Sequence, residues 1–312
     1  MLKLFTVIVT GLLIAIAQAQ TKPEVITVVI GAAPSHSAVP VTQKTLNEAN
    51  QLQNKYLFVP EFKPGAQGVI AVKYMDQDPQ NRIAGIAPSF IENTKAGHLN
   101  EKDYVPVFAQ GDACWAVITN VGNTQRGLAS LTDVRGQEII VGGTGFGNAA
   151  HITSLMLAER YGFKVKYVVF KSNFDGLINM VGNNGVNMVL ERVVNYQQFK
   201  EKQPRLQILG INCGQRVDDL PEVRTVREQG FNTPAIFQIT LANRAMSTER
   251  RKEIGKILEK AQSVIGKKIM IDMADLLAPQ FEGVSVEEYF RSRIDNMKTL
   301  TAKFEKTIQE SK

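Results

Sequence analysis

The stretch between Glu138 and Gly162 constrains the fold most, because it combines an apolar strand, a glycine-rich turn and a helix. Residues 138–141 predict the strand, and apolar side chains at 152, 155 and 156 have the spacing of one helix face. Asn148 is expected to cap the helix, where its side-chain oxygen can accept a free backbone N–H. Such a turn exposes N–H groups at the positive end of a helix dipole. It therefore fits either an anion cradle or an ordinary strand–helix connection.

Strands and helices alternate along most of the chain, which predicts an α/β fold with parallel strands. Ligands of open α/β sheets bind beyond the carboxyl ends of the strands. We expect two lobes whose strand-end turns face each other across a cleft, a design that allows hinge closure around a ligand. Lobe 1 is expected to comprise residues 20–120 and 212–312, and lobe 2 residues 121–211. Strands near residues 114–120 and 206–211 are expected to cross between the lobes.

Particular polar residues predict where several helices begin. Thr225 and Glu228 have the T-x-x-E spacing of a capping box, which predicts a short helix. Ser285 and Glu288 repeat that spacing before a last amphipathic helix. Asn173 is expected to cap the helix that contains Leu177, Ile178 and Val181.

The N-terminal residues have the features of a secretory signal peptide. Lys3 precedes an apolar run from Leu4 to Ile16, and residues 17–19 have the A-x-A form of a cleavage site. The run is too short for a membrane span. The sequence predicts a signal peptide over residues 1–19, cleavage before Gln20 and export of a soluble protein.

Composition narrows the classes of partner. The formal net charge is +6, from 36 basic and 30 acidic residues, and no dense basic block occurs. Nucleic acid is therefore not an expected partner, and the balance weakly favours small acidic ligands. Cys114 and Cys213 lie outside any metal-binding motif. They could form a disulfide, but two separate buried thiols are the preferred expectation.

The motifs of common enzymes are missing from the sequence. The glycines at 143, 145 and 147 lack the spacing of a dinucleotide fingerprint, and neither G-x-x-x-x-G-K-[ST] nor G-x-S-x-G occurs. His36, His98 and His151 are scattered without metal-ligand spacing. His36 fits a ligand contact or, preferably, a solvated loop, and His151 is expected to pack while partly exposed. We expect no enzyme activity, cofactor or metal.

Four stretches, taken together, resemble one family. Residues 63–71 (KPGAQGVIA) resemble an R-P-G-A-G-G segment, and residues 141–148 with His151 resemble a Y-x-S-x-G-x-G-S…H turn. Residues 168–172 (VVFKS) resemble V-P-Y-K-G, and residues 216–231 resemble R-x-x-x-L-P-D-V-P-T-x-x-E-x-G. In this order they are similar to the TctC or Bug family, the periplasmic substrate-binding proteins of tripartite tricarboxylate transporters.

The resemblance implies a type II periplasmic-binding-protein fold with two lobes, a ligand cleft and crossing hinge strands. It implies a periplasmic, monomeric receptor that captures a small carboxylate, such as a di- or tricarboxylate or an aromatic acid. The implied partner is the membrane permease of such a transporter. The positions that match ligand contacts are Ala33, Ser35, Ser37 and Ser89 in lobe 1, and Thr144, Gly145, Gly147 and Asn148 in lobe 2.

The first strand-end turn departs from the family pattern P-x-x-G-G-x-x-D. Pro34, Ser35 and Ala38 stand there, so the glycine pair and the aspartate are absent. An amino-acid ligand is therefore disfavoured, and a receptor scaffold repurposed as a sensor or partner-binding protein stays open as the alternative. Four residues are expected to form a variable wall of the pocket: Phe174, Asp175, Glu191 and Arg192.

Arg192 has three possible environments. It could bind a second ligand carboxylate in the bidentate geometry that guanidinium groups favour. Its guanidinium could instead pair with Glu191, or it could be solvated.

Overall fold

The computed structural model describes residues 22–34, 36, 39–86, 90–121, 124–201, 203–272 and 283–311. The expected signal peptide and the candidates Ser35, Ser37 and Ser89 lie outside these residues. The strands are β1 (Glu24–Ile30), β2 (Tyr56–Phe62), β3 (Arg82–Ile86), β4 (Tyr104–Asp112), β5 (Trp115–Thr119), β6 (Glu138–Gly143), β7 (Lys164–Val169), β8 (Met188–Arg192), β9 (Gln207–Asn212) and β10 (Phe237–Asn243). The α-helices are α1 (Val39–Leu52), α2 (Val69–Asp76), α3 (Phe90–Lys95), α4 (Ala149–Tyr161), α5 (Asn173–Val181), α6 (Val193–Gln197), α7 (Thr248–Asp272), α8 (Val286–Lys303) and α9 (Glu305–Glu310).

The first sheet has the strand order β2-β1-β3-β10-β4. Strands β1, β2 and β3 are parallel, and β10 is antiparallel to both β3 and β4. Ile26 and Val28 of β1 pack with Leu46 of α1 and Leu258 of α7 in one apolar cluster. Val29 belongs to a second cluster, with residues of α2 and α8. Because successive strand side chains point to opposite faces, both faces of this sheet are buried under helices.

The second sheet has the strand order β7-β6-β8-β5-β9. Strand β6 is parallel to β7 and β8, while β5 is antiparallel to β8 and β9. Val141 of β6 packs with Ile152 of α4 on one side. Val189 of β8 packs with Leu177 of α5 on the other. The fold is thus a two-lobed α/β fold, as the sequence predicts, and each lobe contains a five-stranded sheet. The lobe boundaries at residues 120 and 211 stay a prediction.

A disulfide joins two of the connections between the sheets. Cys114 lies between β4 and β5, and Cys213 follows β9. Their Cα atoms are 4.8 Å apart and the two sulfur atoms are bonded, so the preferred expectation of separate thiols is wrong. Sequence separation hid this proximity, because the two cysteines are 99 positions apart. The segment before β10 lies beside them, where Ala113 N–H donates to Ile236 O at 2.6 Å.

Two of the four predicted helix starts differ in the structure. Ser285 and Glu288 form the expected capping box of α8. The cap of α5 is Ser172, one residue before the expected Asn173, because Ser172 and Asp175 form a reciprocal box. Thr225 and Glu228 also exchange their two hydrogen bonds, but the chain there forms turns and no helix.

The outer edge of β2 is covered by side chains of α1. Asn50 accepts the Phe58 N–H at 2.7 Å and donates to the Phe58 carbonyl at 3.0 Å. Gln53 does the same for Tyr56, at 2.8 and 2.9 Å. Two side-chain amides therefore take the place of a neighbouring strand.

Among the described residues, no helix combines the length and apolar character needed to cross a bilayer.

Candidate ligand-binding cleft

The turn after β6 requires glycine at the end of the strand. A Cβ on Gly142 would lie 3.3 Å from the Cα of Gly176, so the absence of a side chain lets β6 approach α5. A Cβ on Gly143 would overlap the hydroxyl of Tyr167. Gly147 has a φ of 78°, in the left-handed region that favours glycine. The sequence of this turn therefore encodes both its shape and its tight packing.

Asn148 holds the turn to the start of α4. Its side-chain oxygen accepts the His151 N–H at 2.9 Å, which confirms the predicted N-cap. Its amide nitrogen donates to Thr144 Oγ1 at 3.0 Å. The Tyr167 hydroxyl donates to Asn148 Oδ1 at 3.2 Å. One side chain thus links the two ends of the turn, the helix and strand β7.

His151 braces the turn from beneath. Its Nδ1 accepts the Gly147 N–H at 3.0 Å, and its side chain is 0% exposed, where the sequence predicted partial exposure. The imidazole lies 4.2 Å from the Tyr167 ring and 5.7 Å from the Phe146 ring, between centroids. Burial lowers the pKa of His151 to about 4, so the ring is neutral at pH 7. A neutral ring can accept at Nδ1, which keeps Gly147 in place.

The braced turn keeps backbone donors for a ligand. Within the described part of the chain, the N–H groups of Gly145 and Phe146 have no hydrogen-bond partner. Both lie close to the N-terminus of α4, where the helix dipole favours negative charge. An acid group is the ligand chemistry that this pair of N–H groups suits best.

The facing lobe presents the loop that follows β2. Ala66 and Gln67 have φ values of 44° and 52°, in the left-handed region. Asn93 of α3 donates to the Gln67 carbonyl at 3.1 Å and holds this backbone. The Gln67 amide lies so close to Gly145 that a Cβ on that glycine would overlap it. Gln67 was not among the predicted site residues; its place at a glycine of the R-P-G-A-G-G pattern was the available indication.

Arg192 ends strand β8, beside the turn that follows β6. Its side chain is 1% exposed, so the expectation of a solvated arginine is wrong. His36, in the turn after β1, lies close enough to feel this charge. Loss of water around His36, together with repulsion from Arg192, lowers the pKa of His36 to about 4. The two residues bring the strand ends of both lobes together at a second place.

Glu191 is buried next to Arg192, at 3% exposure. Its Oε1 accepts the backbone N–H of Arg192 at 2.6 Å. Burial raises the pKa of this carboxyl to about 7, although that hydrogen bond and the Arg192 charge both act to lower it. A substantial fraction of Glu191 is therefore protonated at neutral pH, which weakens its repulsion of an anion in the cleft.

The remaining candidates lie around these contacts. Ala33 is exposed, and its carbonyl accepts the His36 N–H at 2.9 Å. Asp175 is engaged in the box that caps α5, and Phe174 faces the ring of Phe199 with centroids 6.0 Å apart. The structure thus brings together Thr144, Gly145, Gly147 and Asn148, with Glu191 and Arg192 at the adjacent strand end. The described residues contain no cluster of His, Cys, Asp and Glu that could hold a metal ion.

No family model matches the sequence. No curated protein matches it either. Solved structures do match. BugD, a periplasmic binding protein, is 16% identical with a TM-score of 0.71, over 90% of this chain and 97% of that one. A TctC solute-binding protein from Polaromonas is 14% identical with a TM-score of 0.66, over 89% and 98%.

MatC from Rhodopseudomonas palustris, with bound malate, is 15% identical with a TM-score of 0.70, over 88% of this chain and 98% of that one. The chain has the fold of the periplasmic binding proteins. At these levels of sequence identity, the structural similarity establishes the fold alone. In this periplasmic-binding-protein fold, the contact of Gln67 with Gly145 and the electrostatic interaction of His36 with Arg192 lie between the lobes, where the sequence predicts the ligand cleft.

Proposed function

We propose that the protein is a periplasmic solute-binding receptor that captures a small carboxylate between its lobes. We further propose that it delivers this ligand to the permease of a tripartite tricarboxylate-type transporter. The observation that carries the proposal is the turn at Gly145 and Phe146, whose two N–H groups stand at the positive end of α4 opposite the other lobe. The proposed membership of the TctC or Bug family rests on the sequence motifs together with the shared fold.

The chemistry of the cleft favours a ligand with two acid groups. One carboxylate would accept the N–H groups of Gly145 and Phe146. The second would accept the forked donors of Arg192, which match a carboxylate in a bidentate arrangement. Strands β6 and β8 are direct neighbours, so the two positions belong to adjacent strand ends. MatC binds malate, which is also a diacid.

Binding without turnover is proposed because the described residues of the cleft supply donors and include no activated nucleophile. His151 accepts from Gly147 and lies against aromatic rings, and both cysteines are in the disulfide. Backbone N–H groups bind an anion without a compensating formal charge. This suits a receptor that must release its ligand to a permease.

Thermal unfolding of the mature protein with a panel of acids tests the proposal. The panel contains mono-, di- and tricarboxylates, aromatic acids and amino acids. A ligand that binds only the folded state stabilises it by about 2.7 kcal/mol at 100 times its Kd. That corresponds to a rise in Tm of roughly 4–5 °C for a chain of this size. The expected result is a rise with diacids and little change with amino acids.

Two arginine variants provide the matched control. Arg192→Lys keeps the charge but loses the forked donors, so the rise in Tm with a diacid should shrink. Arg160→Lys alters an exposed arginine that stacks on Phe231, and it should leave that rise unchanged. A folded, ligand-free protein that responds to no acid would contradict the receptor proposal and favour the sensor or partner-binding alternative. Growth of a deletion strain on the identified acid then tests delivery.

A further inference from the structure

The loop that follows β2 reaches across the cleft with one side chain. The Gln67 amide lies against Gly145, on the turn whose N–H groups are proposed to bind the ligand. Gly145 is buried, although it belongs to a turn at the end of a strand of the other sheet. The two lobes therefore meet at the place where the proposed acid group would bind.

The conformation of Gln67 is one that glycine adopts more easily. Its φ of 52° and ψ of 38° lie in the left-handed region, which crowds the Cβ of an L-residue. The residue before it, Ala66, is also left-handed. The neighbouring loop packs tightly, since a Cβ on Gly31 would lie 3.2 Å from the Cα of Gly68. A glutamine kept in this position at a conformational cost indicates a role for its side chain.

We propose that Gln67 is a specificity-determining residue, which donates its amide to the acid group held by the Gly145 turn. The proposal rests on the proposed receptor function and names a narrower class of ligand. The amide fills volume that a glycine would leave open directly above the turn. Ligands should therefore be acids that are unbranched at the carbon next to the carboxylate. Acids with substituents on that carbon are excluded when the lobes close.

Calorimetric titration with succinate and 2,2,3,3-tetramethylsuccinate, which is branched beside both carboxylates, tests this selectivity. The wild-type protein should bind succinate at least about tenfold more tightly, a factor that corresponds to about 1.4 kcal/mol. Gln67→Gly should reduce that preference to about threefold or less by admitting the branched acid. An unchanged preference in Gln67→Gly would overturn the proposal.

Gln67→Glu separates hydrogen bonding from volume. The variant keeps the shape of the side chain but places a negative charge next to the acid group of the ligand. Succinate affinity should fall by about a hundredfold at pH 7.5 and recover partly at pH 4.5, where the new carboxyl is partly protonated. A variant with only a structural defect would show no such recovery relative to wild type. Wild-type affinity in Gln67→Glu at pH 7.5 would contradict the donor role.

A measurement without ligand distinguishes failure of the Gln67 proposal from failure of the proposed receptor function. Gly145→Ala should displace the Gln67 side chain, because its Cβ overlaps the amide, and should lower the Tm of the ligand-free protein slightly. Adding Gln67→Gly should remove that loss. Gly145 does not have a positive φ, so its backbone tolerates alanine. If the wild-type protein binds no acid, the receptor function fails, while the absence of this rescue would overturn the Gln67 contact itself.

Discussion

The two sheets share one strand pattern but are assembled from the chain in different ways. In the spatial order of each sheet, three parallel strands come first. The fourth strand is antiparallel to both of its neighbours. The second sheet uses strands from one continuous segment, residues 115–212, and the disulfide closes that segment into a ring. The first sheet joins β1–β4 with β10, from beyond that segment. Lobe 2 is thus constrained by local sequence and a cross-link, whereas lobe 1 depends on contacts between distant parts of the chain.

Removal of the disulfide should have the largest effect. For a closed loop of about 100 residues, the chain-entropy model gives a loss of about 4–5 kcal/mol in the free energy of unfolding. The double variant Cys114→Ala/Cys213→Ala should show this loss in urea denaturation followed by the fluorescence of Trp115. Reductant should destabilise the wild-type protein and leave the double variant unchanged. Equal urea midpoints for the wild-type protein and the double variant would contradict the conclusion that the cross-link constrains lobe 2.

The second-largest effect should come from lowering the pH, because protonation of His151 destabilises lobe 2. Its folded pKa is about 4, below the ordinary value of 6.5, so the unfolded chain binds the proton more tightly. The stabilising contribution is complete above pH 6.5 and is lost as the pH falls towards 4, by about 3 kcal/mol in total. Denaturation at a series of pH values, compared with His151→Gln, should reveal this difference.

The comparison with His151→Gln is needed because Glu191 titrates in the opposite sense. Its folded pKa of about 7 means that stability falls as the pH rises from 4.5 to 7. His98→Gln alters an exposed histidine and serves as the matched control. Parallel pH curves for the wild-type protein and His151→Gln would refute the role assigned to His151.

A smaller effect is expected from the brace of the lobe 1 loop. Asn93→Ala removes the donor to the Gln67 carbonyl, at a position that is largely buried. The expected loss is about 1–2 kcal/mol in the free energy of unfolding. Asn47→Ala, at an exposed site, is the control for loss of an asparagine. If Asn93→Ala lowered the free energy of unfolding more than removal of the disulfide does, the expected order of the two effects would be wrong.

Backbone substitutions at left-handed positions should give the smallest effects, with opposite signs in the two lobes. Ala66→Gly should stabilise by about 0.5 kcal/mol, because relief at φ 44° slightly exceeds the entropy cost of glycine. Gly147→Ala should destabilise by about 0.5–1 kcal/mol, since the strain of alanine at φ 78° exceeds the entropy gained by replacing glycine. Thermal unfolding of the two variants measures both changes. Destabilisation in Ala66→Gly would show that the loop bears no strain.

Sequence patterns predicted the elements where local chemistry decides them. The Asn148 cap and the strand over Glu24–Ile30 follow from residue type and spacing alone. The turn at Thr225 shows the limit of such patterns, because a capping pair forms there without a helix to follow it. Burial of Arg192 and the pairing of Cys114 depend on which strands become neighbours. Spacing along the chain contains no information about that arrangement.

The amide pairs on β2 have a consequence for the protein in a crowded compartment. An uncovered edge strand is a template for intermolecular β-pairing and aggregation. Asn50 and Gln53 saturate the outward groups of Phe58 and Tyr56, and Pro60 has no N–H to offer. Colliding molecules therefore find no ladder to extend on this side of lobe 1, so the apolar Leu57 and Val59 can stay exposed beside it.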